Sequence, residues 1–271
     1  MRRKHLSQMI GITLVALLMV ACSTTQPSPT ATLVPTTTPV PTPTEEIAEW
    51  DYVALGESMN FGMISRYAEM LEQDLGVRVE LHDWARANDH SSSLLERLRT
   101  NEQLRQDLRE AEVVTFQIPI RVIVEPFKTF EFGDPGECGG DDNQDCLRDA
   151  FETYMADTDE IIAEIVSLRS PSDAVIRAQD VYQIKVRETQ ETGSFEIING
   201  YWRDANAHTI EVATSYGIPV ARVYDAFMGE NGVEDPRDQG LMVSDGLHPS
   251  PEGATLMAKL FQELGYEPLA P

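Results

Sequence analysis

Two short segments near opposite ends of the chain carry a serine, an aspartate and a histidine that could do chemistry together. Ser58 lies in VALGESMNFG (53–62), directly after an apolar run and before a helical pattern. Asp245 and His248 are three residues apart in SDGLHPSPEG (244–253), so the carboxylate can hydrogen-bond the imidazole across a turn. A histidine held in this way can take the proton from a serine hydroxyl, which then attacks a carbonyl carbon.

Each segment also has a simpler interpretation, which the sequence leaves open. A serine at the start of a helix is more often an N-cap, and the histidine could be incidental to a surface turn. Two features favour the chemical interpretation. Gly56 permits a tight turn before Ser58, and Pro249 holds His248 in an extended conformation that helps to aim its ring.

The elements that must position these residues follow from the hydrophobic pattern. Short runs rich in Val, Ile and Ala lack a clean polar–apolar alternation, which is typical of strands covered on both faces. The predicted strands are 52–55, 77–81, 113–118, 174–178 and 219–223. The predicted helices are 63–75, 91–98, 103–111, 146–168, 199–216 and 251–264. Their alternation predicts a parallel sheet between helices, with functional loops at the carboxyl ends of the strands.

The charge balance excludes several classes of partner. The chain of 271 residues has 45 acidic and 21 basic residues, a formal net charge of −24, and is 42% hydrophobic. This is a globular composition with enough apolar residues for a core. Binding to nucleic acid or to an anionic lipid surface draws on clustered Lys and Arg, so we expect neither. The motifs of nucleotide-binding proteins and metalloproteases are absent from the sequence, and we expect no cofactor and no metal.

The N-terminal residues predict export. Three basic residues at 2–4 precede an apolar run that is short for a membrane span and ends at Cys22. The segment LMVAC (18–22) resembles the lipobox of bacterial lipoproteins, in which the cysteine is lipidated and becomes the new N-terminus. We therefore expect a signal peptide at 1–21 and a lipid anchor at Cys22. An ordinary secretory signal or an uncleaved anchor is the alternative.

A disordered stalk is predicted at 22–44, because the stretch after Cys22 holds six prolines and nine threonines and few apolar residues. One folded domain is predicted at 45–271. Within it, the segment 125–145 has no clear periodicity and is predicted to be an inserted functional loop or lid.

Cys138 and Cys146 lie eight positions apart at the end of this insert. In an exported protein we expect a disulfide between them, with free thiols as the alternative. The acidic residues of the insert lack the spacing of a Ca²⁺-binding loop, so we interpret them as a solvated surface.

The two reactive segments resemble the first and last blocks of the SGNH, or GDSL-type, hydrolase family. The family's first block is a Gly-Asp-Ser turn, which stands here as Gly56-Glu57-Ser58. Its last block is Asp-x-x-His-Pro, which stands here as 245–249, and the helix GATLMA (253–258) continues the family pattern. The resemblance spans essentially 50–264. It implies a flavodoxin-like three-layer α/β/α sandwich with a five-stranded parallel sheet, and an esterase-like mechanism with a Ser–His–Asp triad.

The middle blocks of the family fit less well. The family has an oxyanion glycine before the second helix, where this chain has Asn88, whose backbone N–H remains available. The third block, Gly-x-Asn-Asp, supplies an oxyanion asparagine, but this chain reads QIPIRV (117–122) and has no asparagine there. Arg121 or Gln117 could replace it as a donor, whereas Pro119 has no N–H at all. Loss of one oxyanion donor typically costs about 10²–10³ in turnover.

Two functions follow as hypotheses. The first is a lipid-anchored serine esterase that acts on a small-molecule or glycan ester such as an acylated carbohydrate or a short lipid ester. The second is a weak or inactive module of the same fold that binds an extracellular glycan or cell-wall component. In either case we expect an exported monomer that meets the bilayer only through its N-terminal lipid.

Overall fold

A five-stranded parallel sheet forms the centre of the computed structural model, which describes residues 47–269. The strands are β1 (Glu49–Leu55), β2 (Arg78–Asp83), β3 (Val113–Phe116), β4 (Val175–Gln179) and β5 (Val220–Ala221). They lie in the order β2-β1-β3-β4-β5, and each neighbouring pair is parallel. This is the flavodoxin-like order, so the predicted fold class is confirmed. The predicted signal peptide, stalk and lipidated Cys22 lie outside the described residues.

Helices cover the sheet on both faces. They are α1 (Phe61–Leu75), α2 (Ser91–Thr100), α3 (Glu102–Glu110), α4 (Arg121–Phe132), α5 (Asp145–Leu168), α6 (Val186–Thr192), α7 (Phe195–Ser215), α8 (Val223–Met228) and α9 (Pro251–Glu263). Helix α1 packs against α9, whereas α5 packs against α2, α4 and α7. Every residue of β3 and β4 is buried, which requires cover on both faces of the sheet. Within residues 47–269 no helix has the length and apolar character needed to cross a membrane.

The structure differs from the predicted elements mainly after β3. The prediction of a loop over 125–145 is wrong for its first part, which α4 occupies. Ile123 and Phe127 form the buried side of α4 with helical spacing, but Pro126 between them removes a helical hydrogen bond and argues against a helix in the sequence. The short helices α6 and α8 were not predicted, and β5 covers two residues rather than 219–223.

The remainder of the insert is a loop closed by a disulfide between Cys138 and Cys146, as the sequence predicts. The backbone N–H of Cys146 donates to the Cys138 carbonyl at 2.8 Å, and the Asn143 side chain accepts the Cys138 N–H at 3.1 Å. Asp142 forms an ion pair with Arg148 at 2.9 Å, so an arginine of α5 partly balances the acidic loop. The loop that joins α4 to α5 is therefore held covalently and by its own hydrogen bonds.

Replacing both Cys138 and Cys146 by serine is expected to lower the free energy of unfolding by about 2–3 kcal/mol, because the bond limits the unfolded chain over a separation of 8 residues. Urea unfolding of the variant and of the oxidised wild type measures the loss. The reduced wild type is the matched control and should behave like the variant. Equal midpoints for oxidised and reduced protein would contradict the prediction.

Candidate active site

Ser58 lies at the carboxyl edge of the sheet, in the turn that follows β1. One turn of 3-10 helix, Ser58–Asn60, leads into α1, and no side chain caps the N-terminus of either helix. Gly56 allows the turn, because its φ is +142° and a Cβ there would lie 2.5 Å from Asn60 Nδ2. Ser58 therefore does not serve as the N-cap of this helix, and its hydroxyl is free for another contact.

That contact is with His248. Ser58 Oγ lies 3.0 Å from His248 Nε2, and His248 Nδ1 lies 2.7 Å from Asp245 Oδ2. The other carboxylate oxygen of Asp245 accepts the backbone N–H groups of Leu247 at 2.8 Å and His248 at 3.0 Å. Burial raises the pKa of Asp245, but these hydrogen bonds, led by the one from the imidazole, outweigh it and hold the pKa below its usual value. An ionised carboxylate thus orients the ring, and the ring faces the hydroxyl.

The loop that carries the histidine is held by neighbours on both sides. Tyr182 donates its hydroxyl to the Leu247 carbonyl at 2.9 Å, and the Lys185 N–H donates to the Gly246 carbonyl at 2.8 Å. At the far end, Ser250 is the N-cap of α9, where its hydroxyl accepts the N–H of the third helical residue. The imidazole is therefore presented by a braced loop. No sequence motif marks Tyr182, so its contact with the histidine loop was not predicted.

The helices that follow the two reactive segments are also in contact. A Cβ placed on Gly62 of α1 would lie 2.9 Å from the Ala254 Cβ of α9, so the two backbones approach closely at this point. One turn further along, Arg66 Nε donates to Thr255 Oγ1 at 3.0 Å. Packing of α1 on α9 thus fixes the distance between the serine and the histidine, which are 190 residues apart in sequence.

A cavity of about 300 Å³ opens beside the serine. It is lined by Glu57, Ser58, Ala87, Asn88, Ile120, Arg121, Val124, Leu247 and His248. Two of the predicted oxyanion donors, Asn88 and Arg121, are therefore brought to the same cavity as the nucleophile. Asn88 has φ +56°, a left-handed conformation that glycine adopts most easily and asparagine tolerates best among other residues. This explains how an asparagine can stand where the family has glycine.

Gln117, the third predicted donor, lies elsewhere. Its side chain is fully buried, it does not line the cavity, and neither amide atom has a hydrogen-bond partner among the described residues. Its Cβ and Oε1 would each lie 3.4 Å from a Cβ on Gly56, so it packs beneath the serine turn. From this position Gln117 supports the turn rather than reaching into the cavity.

Glu57 is a site residue that sequence reasoning missed. Its side chain is 6% exposed, and Oε1 accepts the backbone N–H of Ile120 at 2.8 Å. Burial raises the pKa of Glu57 to about 7, against the opposing effect of that hydrogen bond. The one signal in the sequence was that glutamate replaces the aspartate of the family's Gly-Asp-Ser turn.

Two other features lie outside this cavity. Asp51, Glu80 and His82, on β1 and β2, are the one group in the described part of the chain whose donor atoms could jointly hold a metal ion. The imidazole of His82 is already hydrogen-bonded to Asp51 at 2.9 Å, and none of the three faces Ser58. A larger hollow of about 530 Å³ around Asp180 and Arg222 contains none of the predicted catalytic residues.

No protein-family model matches the chain, and no curated protein matches it. Solved structures of the same fold include a lipase from a goat rumen metagenome, with a TM-score of 0.66 and 19% identity over 81% of this chain and 99% of that one. An acetylxylan esterase from Geobacillus stearothermophilus has a TM-score of 0.57 and 13% identity over 82% of this chain and 96% of that one. A lipase/acylhydrolase from Enterococcus faecalis has a TM-score of 0.55 and 14% identity over 82% of this chain and 100% of that one. The fold is therefore one shared with lipases and esterases, as the resemblance in sequence implied.

Glu57→Gln is expected to gain stability relative to wild type as the pH rises from 5 to 8. The pKa of Glu57 is about 7 in the folded protein, whereas an unfolded glutamate has a pKa of about 4.3. Between these values the native state keeps the proton that the unfolded state has released, so wild-type stability falls with rising pH. Between pH 5 and pH 8, the free energy of unfolding of Glu57→Gln should therefore rise by about 3 kcal/mol relative to that of wild type.

Urea unfolding of both proteins at pH 5 and pH 8 measures this difference. Glu112→Gln is the matched control, because Glu112 also accepts a backbone N–H, that of Asp51, at 2.8 Å. The change in its free energy of unfolding between pH 5 and pH 8 shows how much a carboxylate with such a contact contributes to the pH dependence of stability. A gap between Glu57→Gln and wild type that is the same at the two pH values would contradict the prediction.

Proposed function

We propose that the chain is a serine hydrolase that cleaves ester bonds. One observation carries the proposal: the hydrogen-bonded series Ser58–His248–Asp245, with distances of 3.0 and 2.7 Å, stands at the edge of a cavity in a fold shared with esterases and lipases. The order nucleophile, base and orienting acid is the one that acyl transfer requires.

The mechanism assigns one role to each of the three residues. His248 Nε2 takes the proton of Ser58 as Oγ forms a bond to the ester carbonyl carbon, and the carbonyl oxygen becomes an oxyanion. The imidazolium, stabilised by ionised Asp245, then gives its proton to the leaving alcohol as the ester C–O bond breaks. A water molecule, deprotonated by the same imidazole, attacks the acyl-enzyme and releases the acid and the free serine.

Donors for the oxyanion come from the same cavity. The backbone N–H groups of Ser58 and Asn88 supply two, and the guanidinium of Arg121 supplies a third in place of the family's asparagine. Arg121 is 31% exposed and forms an exposed ion pair with Glu125 at 3.2 Å, so it can turn toward a substrate at little cost. Gln117 has no part in this proposal because it is enclosed beneath the turn.

The substrate follows from the size and lining of the cavity. Ala87, Ile120, Val124 and Leu247 give it an apolar wall, and about 300 Å³ accommodates a short acyl group better than a long chain. A strongly acidic protein repels anionic substrates, so a neutral ester is favoured. We therefore propose an acylated carbohydrate or a short lipid ester.

The proposed setting is the outer face of a bacterial cell membrane. Cys22 would hold the protein to the bilayer through its lipid, with the Pro/Thr-rich segment as a spacer and the domain as a monomer. The lipid would be the protein's one contact with the bilayer, because a chain of net charge −24 has little affinity of its own for anionic lipid.

A binding module is the second candidate function, and one observation favours it. The segment where the family has its oxyanion asparagine reads QIPIRV (117–122) here and holds no asparagine, Gln117 in it is buried, and Pro119 has no N–H to offer. A protein that had lost efficient transition-state stabilisation could still hold a glycan or a cell-wall component in the same cavity.

Ser58→Ala is expected to abolish labelling by a fluorophosphonate probe, because the probe reacts only with a serine whose hydroxyl is activated by a base. Wild type should be modified stoichiometrically, as intact-protein mass spectrometry would show. Ser215→Ala is the control, because the hydroxyl of Ser215 is exposed and bonds only the Val212 carbonyl. Absence of labelling in folded wild-type protein would favour the binding module.

His248→Ala is expected to lower kcat/KM for p-nitrophenyl acetate or butyrate at least about 10³-fold, because the general base is lost. His208→Ala is the matched control: His208 is also paired with a carboxylate, Asp159 at 2.8 Å, but on an exposed surface remote from the cavity. Its rate should equal that of wild type. Equal rates for wild type and His248→Ala would refute the esterase.

A further inference from the structure

Glu57 makes a contact that no step of the mechanism uses. Glu57 lies next to the nucleophile in sequence and is 6% exposed, and its carboxylate accepts the Ile120 N–H at 2.8 Å. Ile120 immediately precedes α4, and its neighbour Pro119 has no N–H. The bond from Glu57 therefore joins the turn after β1 to the turn after β3, beyond the backbone hydrogen bond from Gln117 N–H to the Leu55 carbonyl at 3.2 Å.

Ile120 in turn holds the turn after β2. It forms an isolated antiparallel bridge with His90, two residues beyond Asn88. On the other side of Asn88, the Arg86 N–H donates to the Gly56 carbonyl at 3.0 Å. The backbone that carries Asn88 is thus tied to the serine turn at one end, and at the other end to the residue that Glu57 holds.

These ties converge on the oxyanion side of the cavity. Arg121 follows Ile120 directly, and Asn88 lies between the two tied points of its own turn. Asp89 and Arg97 add a buried ion pair at 2.7 Å, which attaches the same turn to α2. A shift of Ile120 would therefore move both proposed donors relative to Ser58.

We propose that Glu57 is a positioning residue for the reaction at Ser58: its side chain clamps the Ile120 N–H and thereby sets Asn88 and Arg121 at the distance from the nucleophile that the oxyanion needs. This role rests on the proposed function. In this proposal Glu57 aligns the turns after β1, β2 and β3, while Asn88 and Arg121 contact the substrate.

A purely electrostatic role makes a different prediction. Glu57 faces His248 and Asp89, and its negative charge could act on the imidazole through space. Glu57→Gln distinguishes the positioning role from the electrostatic role, because the glutamine Oε1 can still accept the Ile120 N–H but carries no charge. Alanine removes both the acceptor and the charge.

The kinetic test compares Glu57→Gln and Glu57→Ala with wild type in hydrolysis of p-nitrophenyl acetate at pH 8. We expect Gln to stay within about threefold of wild type and Ala to lose about 10–100-fold in kcat with KM within about twofold, because displaced donors weaken only transition-state binding. Glu112→Ala, which removes a similar backbone contact far from the cavity, should leave both constants unchanged. A Gln variant as impaired as Ala, or an unimpaired Ala variant, would overturn the proposal.

Amide exchange tests the clamp without reference to activity. Peptides covering 117–124 should exchange at the wild-type rate in Glu57→Gln and faster in Glu57→Ala. Should the Ala variant not fold, Glu57→Met fills similar volume without an acceptor and takes its place in both tests. Equal exchange in all variants would refute the clamp. A wild type that neither hydrolyses esters nor reacts with fluorophosphonate would refute the proposed function, whatever the exchange data show for Ile120.

Discussion

The common direction of the five strands is the constraint on which the site depends. In a parallel sheet all carboxyl ends lie at one edge, so the turns after β1, β2 and β3 become neighbours although long helices separate them in sequence. With β1 between β2 and β3, the serine turn has a partner on each side, which brings Asn88 and Arg121 to one cavity. The histidine arrives separately, through the packing of α9 on α1.

The two sides of the cavity differ in how they meet solvent. The side chains of His248 and Asp245 are 39% and 46% exposed, whereas Glu57, which also lines the cavity, is buried. Water can therefore reach His248, as the proposed hydrolysis of an acyl-enzyme requires. On the buried side, the Glu57 carboxylate accepts the Ile120 N–H at 2.8 Å and so connects the serine turn to the start of α4.

The sequence predicted what depends on local pattern. Ser58, Asp245 and His248 were found because each lies in a short motif next to a recognisable strand or helix, and the parallel sheet followed from unbroken apolar strands. It did not place Gln117, because whether a side chain at a strand end points into a cavity or beneath a turn depends on the packing around Gly56. Glu57 was missed because its partner is a backbone N–H distant in sequence. Helix α4 was missed because Pro126 opposes a helix that tertiary packing of Phe127 nevertheless stabilises.

Helix α4, which lines the cavity at its first turn, is held at both ends. Glu57 holds the residue before it, and beyond its last turn the disulfide of Cys138 and Cys146 closes the connection to α5. The Cys146 sulfur also contacts the Pro126 carbonyl, so the covalent ring touches the helix itself. The ring includes Asp145, the first residue of α5, so it ties the end of one helix directly to the start of the next, and α4 is anchored at each end by a contact outside its own hydrogen bonds.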